Sequence, residues 1–176
     1  MTFSYISIEE AYNLINKRII KTPLVSNDYI NNLLNAEIYF KLENLQSTGS
    51  FKLRGATHKI LKSLNDIKAN GVVAYSSGNH AQAVAYASMV NSISAKIIMP
   101  KNAPQIKIEN TKNYGAEVIL YDSYFQSREE IGNEIKKKDN RALIKPYDDE
   151  DIIAGQGTAA IEIVNDLEEQ SIEPDL

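Results

Sequence analysis

The sequence predicts an α/β protein whose parallel sheet carries flanking helices. Short apolar segments such as 72–75 and 95–99 have the length and composition of buried strands. Each is followed by a segment in which apolar residues recur with helical spacing, so strands and helices alternate along the chain. Strands that are joined through a helix lie parallel and are connected by right-handed crossovers. The alternation therefore predicts a parallel sheet with helices packed against it.

The N-terminal part of the chain predicts two helices with extended segments between them. Ser7–Glu10 has the capping-box pattern, which predicts that a helix begins there and continues to about Ile15. Thr22–Leu24 is predicted to be extended or a turn, because proline disfavours the helical conformation of the residue before it. Glu37–Leu42 predicts a strand, and a polar loop leads from it into a helix predicted from about Phe51 to Leu64.

From residue 72 onward, strands and helices follow in regular succession. The predicted strands cover residues 72–75, 95–99, 117–121 and 141–144. The predicted helices cover about 79–90, 104–113, 127–138 and 157–168. Pro104 marks the start of one of these helices, because proline is favoured at the first helical position.

Composition excludes several classes of function. The 176-residue chain has 19 basic and 23 acidic residues, a net charge of −4, and no cysteine. A mildly acidic chain offers no positive field for a polyanion such as DNA. No segment approaches the roughly 18–20 consecutive apolar residues of a membrane span, and no signal-peptide pattern is present. The lack of cysteine fits a reducing compartment. We expect a cytoplasmic protein that binds a small molecule, with no nucleic-acid or membrane partner.

One lysine stands at the start of the helix predicted after the polar loop. Lys52 falls in the first turn, where unpaired N–H groups and the helix dipole disfavour a positive charge. The neutral amine, which is the form that attacks a carbonyl carbon, is correspondingly favoured. On local physics alone, a solvated surface lysine in a capping loop remains the stronger interpretation.

A second polar loop follows the strand predicted at 72–75. Its residues lie at the carboxyl end of a parallel strand, where open α/β sheets bind ligands; they are Ser76, Ser77, Gly78, Asn79 and His80. Glycine permits close approach of a ligand to the backbone, and hydroxyl and amide groups can bind a carboxylate. The alternative is an ordinary helix cap with His80 as a bystander. Two such loops on adjacent βα units favour a pocket.

Several motifs together closely resemble the threonine dehydratase and serine racemase family. The motifs are Ser50–Ala56, Ser76–Gln82, Met99–Pro104 with Lys107 and Tyr114–Val118 after it, and Ala154–Thr158. Members of this family are fold type II enzymes that depend on pyridoxal 5'-phosphate. The resemblance extends from Ile8 to Leu176 and covers about the first half of the family's catalytic unit, so it implies the two-lobed fold type II architecture in truncated form.

The resemblance implies cofactor-binding and catalytic roles for three residues. Lys52 would carry pyridoxal 5'-phosphate, and Phe51 would lie against the cofactor ring. Asn79 would hydrogen-bond the phenolic oxygen of that ring. A substrate amine would displace Lys52, which would then act as a base at the substrate Cα while the cofactor spreads the negative charge. Loss of a β-hydroxyl would give a 2-oxo acid and ammonia.

The same resemblance implies that the loop after the 72–75 strand binds the substrate, a small amino acid such as threonine or serine. Ser76, Ser77, Asn79 and His80 would line the loop that grips its carboxylate. Ser77 occupies the position that handles the Cα proton opposite the lysine in serine racemases. The implied activity is dehydration, with serine racemisation or a non-catalytic interaction module as alternatives. A nucleotide-binding domain ranks last, because no Gly-x-Gly-x-x-Gly motif follows a strand.

The resemblance further implies two lobes and an incomplete catalytic unit. Residues 71–148 would form a small α/β lobe, whereas residues 1–70 and 149–176 would form an incomplete large lobe that binds the cofactor. The family's glycine-rich phosphate loop would lie beyond Leu176. Each charge-assisted hydrogen bond to phosphate contributes about 1.5–3 kcal/mol, so we expect this chain alone to be a weak or inactive catalyst. We expect a fragment, or a chain completed by a homo-oligomer or a complementary chain.

Three other features receive structural interpretations. His58 has no cysteine or second histidine at metal-ligand spacing, so we predict a surface or packing residue and no metal site. The acidic run Asp148–Asp151 is predicted to begin a helix that its charges stabilise through the helix dipole. Arg54 could contact a phosphate or nucleotide, but a surface ion pair is the expected role.

Overall fold

The computed structural model describes residues 4–175 and contains a four-stranded parallel sheet, a two-stranded antiparallel sheet and flanking helices. The strands are β1 (Leu24–Ser26), β2 (Tyr39–Lys41), β3 (Val72–Tyr75), β4 (Ala95–Pro100), β5 (Glu117–Tyr121) and β6 (Ala142–Ile144). The helices are α1 (Tyr5–Ile15), α2 (Asp28–Leu34), α3 (Lys52–Lys62), α4 (Leu64–Ile67), α5 (Asn79–Val90), α6 (Gln105–Asn113), α7 (Arg128–Asp139) and α8 (Glu150–Glu169). Within residues 4–175, no helix has both the length and the apolar character that crossing a membrane requires. The predicted α/β class with a parallel sheet is confirmed.

The order of strands in the parallel sheet is β5-β4-β3-β6. The chain runs from β3 to β4 to β5 in one direction and then returns to place β6 on the other side of β3. Val72 pairs with Ala95 of β4 on one side and with Ala142 of β6 on the other. The direction of winding therefore reverses between β3 and β6, which is where parallel α/β sheets leave a crevice for ligands.

The two faces of the sheet are covered by different helices. On one face, Leu53 and Ile60 of α3 and the alanine-rich side of α5 pack against Val72 and Ala74. On the other face, Tyr75, Tyr121 and neighbouring apolar residues are covered by apolar side chains of α7. Burial of both faces explains why β3 is a continuous apolar run in the sequence.

Helices α3 and α8 approach each other at the level of the backbone. A Cβ atom added to Gly155 would lie 2.6 Å from Cα of Gly55 and 2.9 Å from the carbonyl oxygen of Arg54. The Gln156 side chain accepts a hydrogen bond from the Gly55 backbone N–H at 3.1 Å. The glycines of both motifs are therefore required by this close approach of two helices.

Arg54 lies in the interior, so the expectation of a surface ion pair is wrong. The side chain is fully buried, and its guanidinium donates to the carboxylates of Glu43 and Glu162 at 2.7–2.9 Å. Lys41 joins the same cluster through Glu162 at 3.0 Å. Burial of a guanidinium requires such pairing, because an isolated buried charge is strongly destabilising. The cluster ties α3 to α8 and to the turn at Glu43–Leu45.

Two predicted helix starts are wrong. Ser7 lies inside α1, which begins at Tyr5 after Ser4 in extended conformation, so Ser7–Glu10 does not cap the helix. α8 begins at Glu150 rather than near residue 157, because the Asp149 side chain accepts hydrogen bonds from the backbone N–H groups of the first turn. Gly155 and Gly157 interrupt the helical spacing of apolar residues, so the sequence pattern does not show the first turns of α8.

The shorter elements of the N-terminal part differ most from the prediction. The sequence analysis does not predict α2, a seven-residue helix in which no residue is fully buried although Ile30, Leu33 and Leu34 recur with helical spacing. The strand expected at Glu37–Leu42 is limited to the three residues of β2, which pair with β1 in a two-stranded ladder. The helix expected from about Phe51 to Leu64 is confirmed as α3, after which the chain turns into α4.

His58 and the acidic run serve packing. His58 is buried, and its Nδ1 donates to the carbonyl oxygen of Asp151 at 2.6 Å, so it is a packing residue rather than a surface one. Asp149 and Asp151 lie within 3.0 Å of the ammonium group of Lys59. The interpretation of the acidic run as a stabilised helix start is confirmed.

The division into two lobes stays a prediction. The four strands of the parallel sheet all fall within the expected small lobe of residues 71–148. Helices α1, α3 and α8, which belong to the expected large lobe of residues 1–70 and 149–176, pack on one another. α3 also packs on α5, so the two groups share one apolar core.

We expect Gly155→Ala to lower the free energy of unfolding by about 1–3 kcal/mol, because the added methyl group would overlap the backbone of α3. Gly157→Ala is the matched control on the same helix. The three atoms nearest to its added methyl group all belong to the flexible Ile8 side chain, at 3.0–3.2 Å, and replacement of a helical glycine by alanine favours the helix by about 1 kcal/mol. Chemical denaturation measures both; equal stability of the two variants would contradict the described helix contact.

Candidate active site

Two polar segments meet at the carboxyl ends of β3 and β6. The loop Ser76–Gly78 follows β3 and leads into α5, and the turn around Pro146 follows β6. The Lys52 side chain, from the first turn of α3, reaches the same place. The candidate site therefore lies at the point of the sheet where the direction of winding reverses.

Lys52 is half-buried and points at a backbone carbonyl. Its Nζ donates a hydrogen bond to the carbonyl oxygen of Pro146 at 2.8 Å, and Nζ lies 5.3 Å from the centre of the Phe51 ring. Burial lowers the pKa of Lys52 below its usual value of 10.5. Within the described chain no carboxylate lies within 4.0 Å of this ammonium group to offset the burial. A larger fraction of Lys52 is thus the neutral amine at physiological pH than for a solvated lysine.

The loop after β3 extends the sheet and then opens. The Ser76 N–H donates to the carbonyl oxygen of Ile98 in β4 at 3.0 Å, and its hydroxyl accepts from the Gly78 N–H at 3.2 Å. The side chains of Ser77 and Asn79 are exposed. A Cβ atom added to Gly78 would meet no described atom within 4 Å, so the space beside this loop is open.

His80 is buried behind the loop. Its Nε2 lies 3.2 Å from the carbonyl oxygen of Ile144 in β6 and donates to it, because a carbonyl can only accept. Burial, aided by the nearby charge of Lys52, lowers the pKa of His80 to about 4. The imidazole is therefore neutral and held against β6. Because the ring faces β6, His80 would contact a substrate carboxylate through its backbone N–H. That contact stays a prediction.

Asn79 is held by a lysine from the next helix. Nζ of Lys107 in α6 donates to Oδ1 of Asn79 at 2.8 Å. Sequence reasoning noted Lys107 only as part of a family motif and assigned it no role. It also missed Pro146, whose contribution is a backbone carbonyl and therefore leaves no signal in residue type. The α5–α6 pairing that brings Lys107 to Asn79 is a tertiary contact.

The six predicted site residues lie on two segments, residues 51–52 and residues 76–80. Lys52 and His80 converge because they donate to Pro146 and Ile144, which lie two residues apart after β6. Ser76 lies in the same loop as His80, and Ser77 and Asn79 are its exposed members. Phe51 is 44% exposed beside Lys52. Their catalytic and binding roles stay predictions.

We expect His80 to make stability fall as the pH drops from about 6.5 towards 4. The unfolded chain takes up a proton at the usual histidine pKa of 6.5, whereas the folded chain resists it until about 4, so acid favours unfolding in this window. The loss reaches up to about 3 kcal/mol. His80→Gln keeps a donor for Ile144 and should flatten the curve of stability against pH. If His80→Gln lost as much stability between pH 6.5 and pH 4.5 as the wild-type chain, the result would contradict the burial of this ring.

The sequence matches a family model described as "Pyridoxal-phosphate dependent enzyme" over residues 15–176. The chain is 42% identical over 164 residues to L-threo-3-hydroxyaspartate ammonia-lyase of Saccharomyces cerevisiae, covering 93% of this chain and 50% of the relative. It is 42% identical to serine racemase of Schizosaccharomyces pombe, covering 93% and 51%. It is also 42% identical to catabolic L-threonine dehydratase of Staphylococcus aureus, covering 91% and 46%.

Solved structures of similar proteins share the fold. Serine racemase from Dictyostelium discoideum superposes with a TM-score of 0.89 at 40% identity, over 96% of this chain and 55% of that protein. Maize serine racemase superposes with a TM-score of 0.91 at 36% identity, over 96% and 51%. The chain spans about half the length of the curated relatives it matches. Because the family match covers residues 15–176, the chain belongs to the family of pyridoxal-phosphate dependent enzymes.

Proposed function

We propose that this chain provides the lysine-bearing half of a pyridoxal-phosphate-dependent ammonia-lyase that dehydrates threonine or serine. The observation that carries the proposal is Lys52, whose half-buried Nζ has a lowered pKa and contacts the turn after β6, the strand that pairs with β3. Relatives named ammonia-lyase and threonine dehydratase, each 42% identical, support dehydration as the reaction.

The residues of the candidate site fit this cofactor. Covalent attachment to an aldehyde requires a neutral amine, and Lys52 is the buried amine at this edge of the sheet. Asn79 keeps amide N–H donors for a ring oxygen, because its Oδ1 already accepts from Lys107. The open space beside Gly78 leaves room for a planar ring, against which Phe51 would lie. Pyridoxal phosphate, when bound, supplies a conjugated system that stabilises negative charge at the substrate Cα.

The other steps of the proposed reaction are assigned to side chains and backbone groups of this chain. Lys52, once free, accepts the Cα proton at Nζ, and the lowered pKa of Lys52 raises the fraction of unprotonated base above that of a solvated lysine. The first N–H groups of α5, those of Asn79 and His80, have no partner within the helix and can bind the substrate carboxylate together with Ser76 and Ser77. His80 stays neutral above about pH 4, so it does not attract the carboxylate away from these donors.

Serine racemisation is the second candidate for the same site. It is favoured by the exposed side chain of Ser77, which belongs to the loop opposite Lys52 and could return a proton to the other face of Cα. A relative named serine racemase is as similar as the ammonia-lyase. Measuring D-serine and ammonia from the same L-serine sample separates the two reactions.

The proposed activity is that of a complete catalytic unit, of which this chain provides the lysine-bearing half. The chain spans about half the length of its relatives. We still predict that the 176-residue polypeptide alone catalyses the reaction weakly or not at all. Completion of the unit by a homo-oligomer or by a complementary chain also stays a prediction. A non-catalytic interaction module is the alternative if the chain fails to bind the cofactor at all.

We expect the wild-type chain, titrated with pyridoxal phosphate to millimolar concentration, to develop the visible absorbance band of the lysine-bound cofactor. Lys52→Ala should abolish this band, because Lys52 carries the half-buried amine with a lowered pKa to which the proposal assigns the attachment. Lys136→Ala, an exposed lysine in the last turn of α7, is the control and should keep it. Ammonia release from L-threonine and L-serine then measures the reaction. A band of equal intensity in wild type and Lys52→Ala would contradict the proposed site.

A further inference from the structure

We infer that Lys107 is a positioning residue that fixes the Asn79 amide so that its N–H donors face the candidate site. The inference rests on the proposed function, in which those donors meet the phenolic oxygen of the cofactor. It assigns a role to a lysine on α6, a helix that contributes no other residue to the proposed chemistry. The role differs from catalysis, because Lys107 acts through Asn79 and not on the reacting atoms.

The contact determines which way the amide is turned. Nζ of Lys107 lies 2.8 Å from Oδ1 of Asn79. An ammonium group has three donors and no acceptor, so the atom it contacts must be the amide oxygen. The Nδ2 group, with two donors, is then the remaining hydrogen-bonding group of Asn79. An amide held in this way offers donors to a ligand and therefore suits an acceptor such as a phenolate oxygen.

The charge of Lys107 strengthens this effect. No carboxylate of the described residues lies within ion-pair distance of Lys107, so Asn79 is its polar side-chain partner in residues 4–175. A positive charge at the amide oxygen polarises the amide and makes its N–H groups better donors. An asparagine at the first position of a helix is otherwise able to rotate about its terminal torsion. Lys107 removes that freedom.

Contacts between α5 and α6 hold Lys107 beside Asn79. Nδ2 of Asn110 donates to Oε1 of Gln82 at 3.0 Å, three residues further along both helices. This second bridge is parallel to the contact between Lys107 and Asn79, and it fixes how α6 lies along α5. The hydroxyl of Thr111 donates to the carbonyl oxygen of Lys107 at 2.7 Å within α6. Lys107 is thus held at the position from which its side chain reaches the start of α5.

The first test needs no cofactor. The Asn79 side-chain amide signals of the 15N-labelled chain are assigned through their loss in Asn79→Asp. Lys107→Met should shift these signals, because the amide loses its charged partner, and Lys107→Arg should restore them in part. Lys112→Met is the matched control, an exposed lysine on the same helix that should leave them in place. Signals unchanged in Lys107→Met would overturn the inference.

The second test uses cofactor affinity, read from the visible band of the bound cofactor. Lys107→Met should weaken affinity about 3- to 10-fold, the effect of a weakened hydrogen bond, while Lys112→Met should have no effect. Asn79→Ala should weaken it similarly. The double variant Lys107→Met with Asn79→Ala should bind no more weakly than Asn79→Ala alone, because Lys107 acts through that amide.

The outcomes separate the inference from the proposed function. Additive losses in the double variant would show that Lys107 acts on the ligand by its charge alone, which would overturn the positioning role. A wild-type chain without a cofactor band would contradict the proposed function, and the amide signals would then decide the inference by themselves. Shifted amide signals together with a non-additive loss of affinity would support both.

Discussion

The packing of α3 against α8 determines where Lys52 lies. Gly55 and Gly155 let the two helix backbones touch, and Arg54 is buried between the carboxylates of Glu43 and Glu162. A buried ion pair adds little net stability, but a planar guanidinium held by two carboxylates permits one arrangement of the elements that carry them. Lys52 stands two residues before Arg54 in the same helix. Its reach to the carboxyl end of β6 therefore follows from packing between segments that are more than 100 residues apart in the chain.

The surroundings of Lys52 favour the neutral form of its amine, and no carboxylate of residues 4–175 is paired with it. Burial at the edge of the sheet lowers its pKa, and the carbonyl of Pro146 orients Nζ without neutralising it. His80 is neutral because it is buried against β6, so it does not add charge beside the amine. The site lies where the winding of the sheet reverses, and both Lys52 and His80 contact the chain at the end of β6 there. Desolvation and geometry together favour the neutral amine that the proposed function requires.

The sequence predicts the fold best where a segment has a single clear pattern of apolar residues. The bounds of β3 and β5 agree with the prediction to the residue, because apolar strands flanked by turn residues leave little ambiguity. α2 was missed because seven residues give less than two full turns over which a helical pattern can repeat. The start of α8 was missed because Gly155 and Gly157 interrupt its pattern. These glycines reflect contact with Gly55 and Ile8, which the sequence of α8 alone does not reveal.

The sequence predicted part of the candidate site, but some of the physical causes in the structure differ from those expected. The helix start at Lys52 indicated that the dipole disfavours its charge, whereas in the structure burial is the cause that lowers the pKa of Lys52. Motif similarity selected Arg54 and His80 as polar residues, but their orientation depends on tertiary neighbours: one side chain is paired in the interior and the other faces β6. Backbone groups such as the Pro146 carbonyl leave no trace in residue type, so contacts of that kind required coordinates.

Chemical trapping of the lysine tests the central claim most directly. The chain is mixed with pyridoxal phosphate, reduced with borohydride and digested, and the modified lysine is located by peptide mass spectrometry. If burial at the sheet edge makes Lys52 the reactive amine, the stable adduct appears on its peptide at cofactor concentrations where exposed lysines remain unmodified. An adduct spread over the exposed lysines, with the Lys52 peptide unlabelled, would contradict the account.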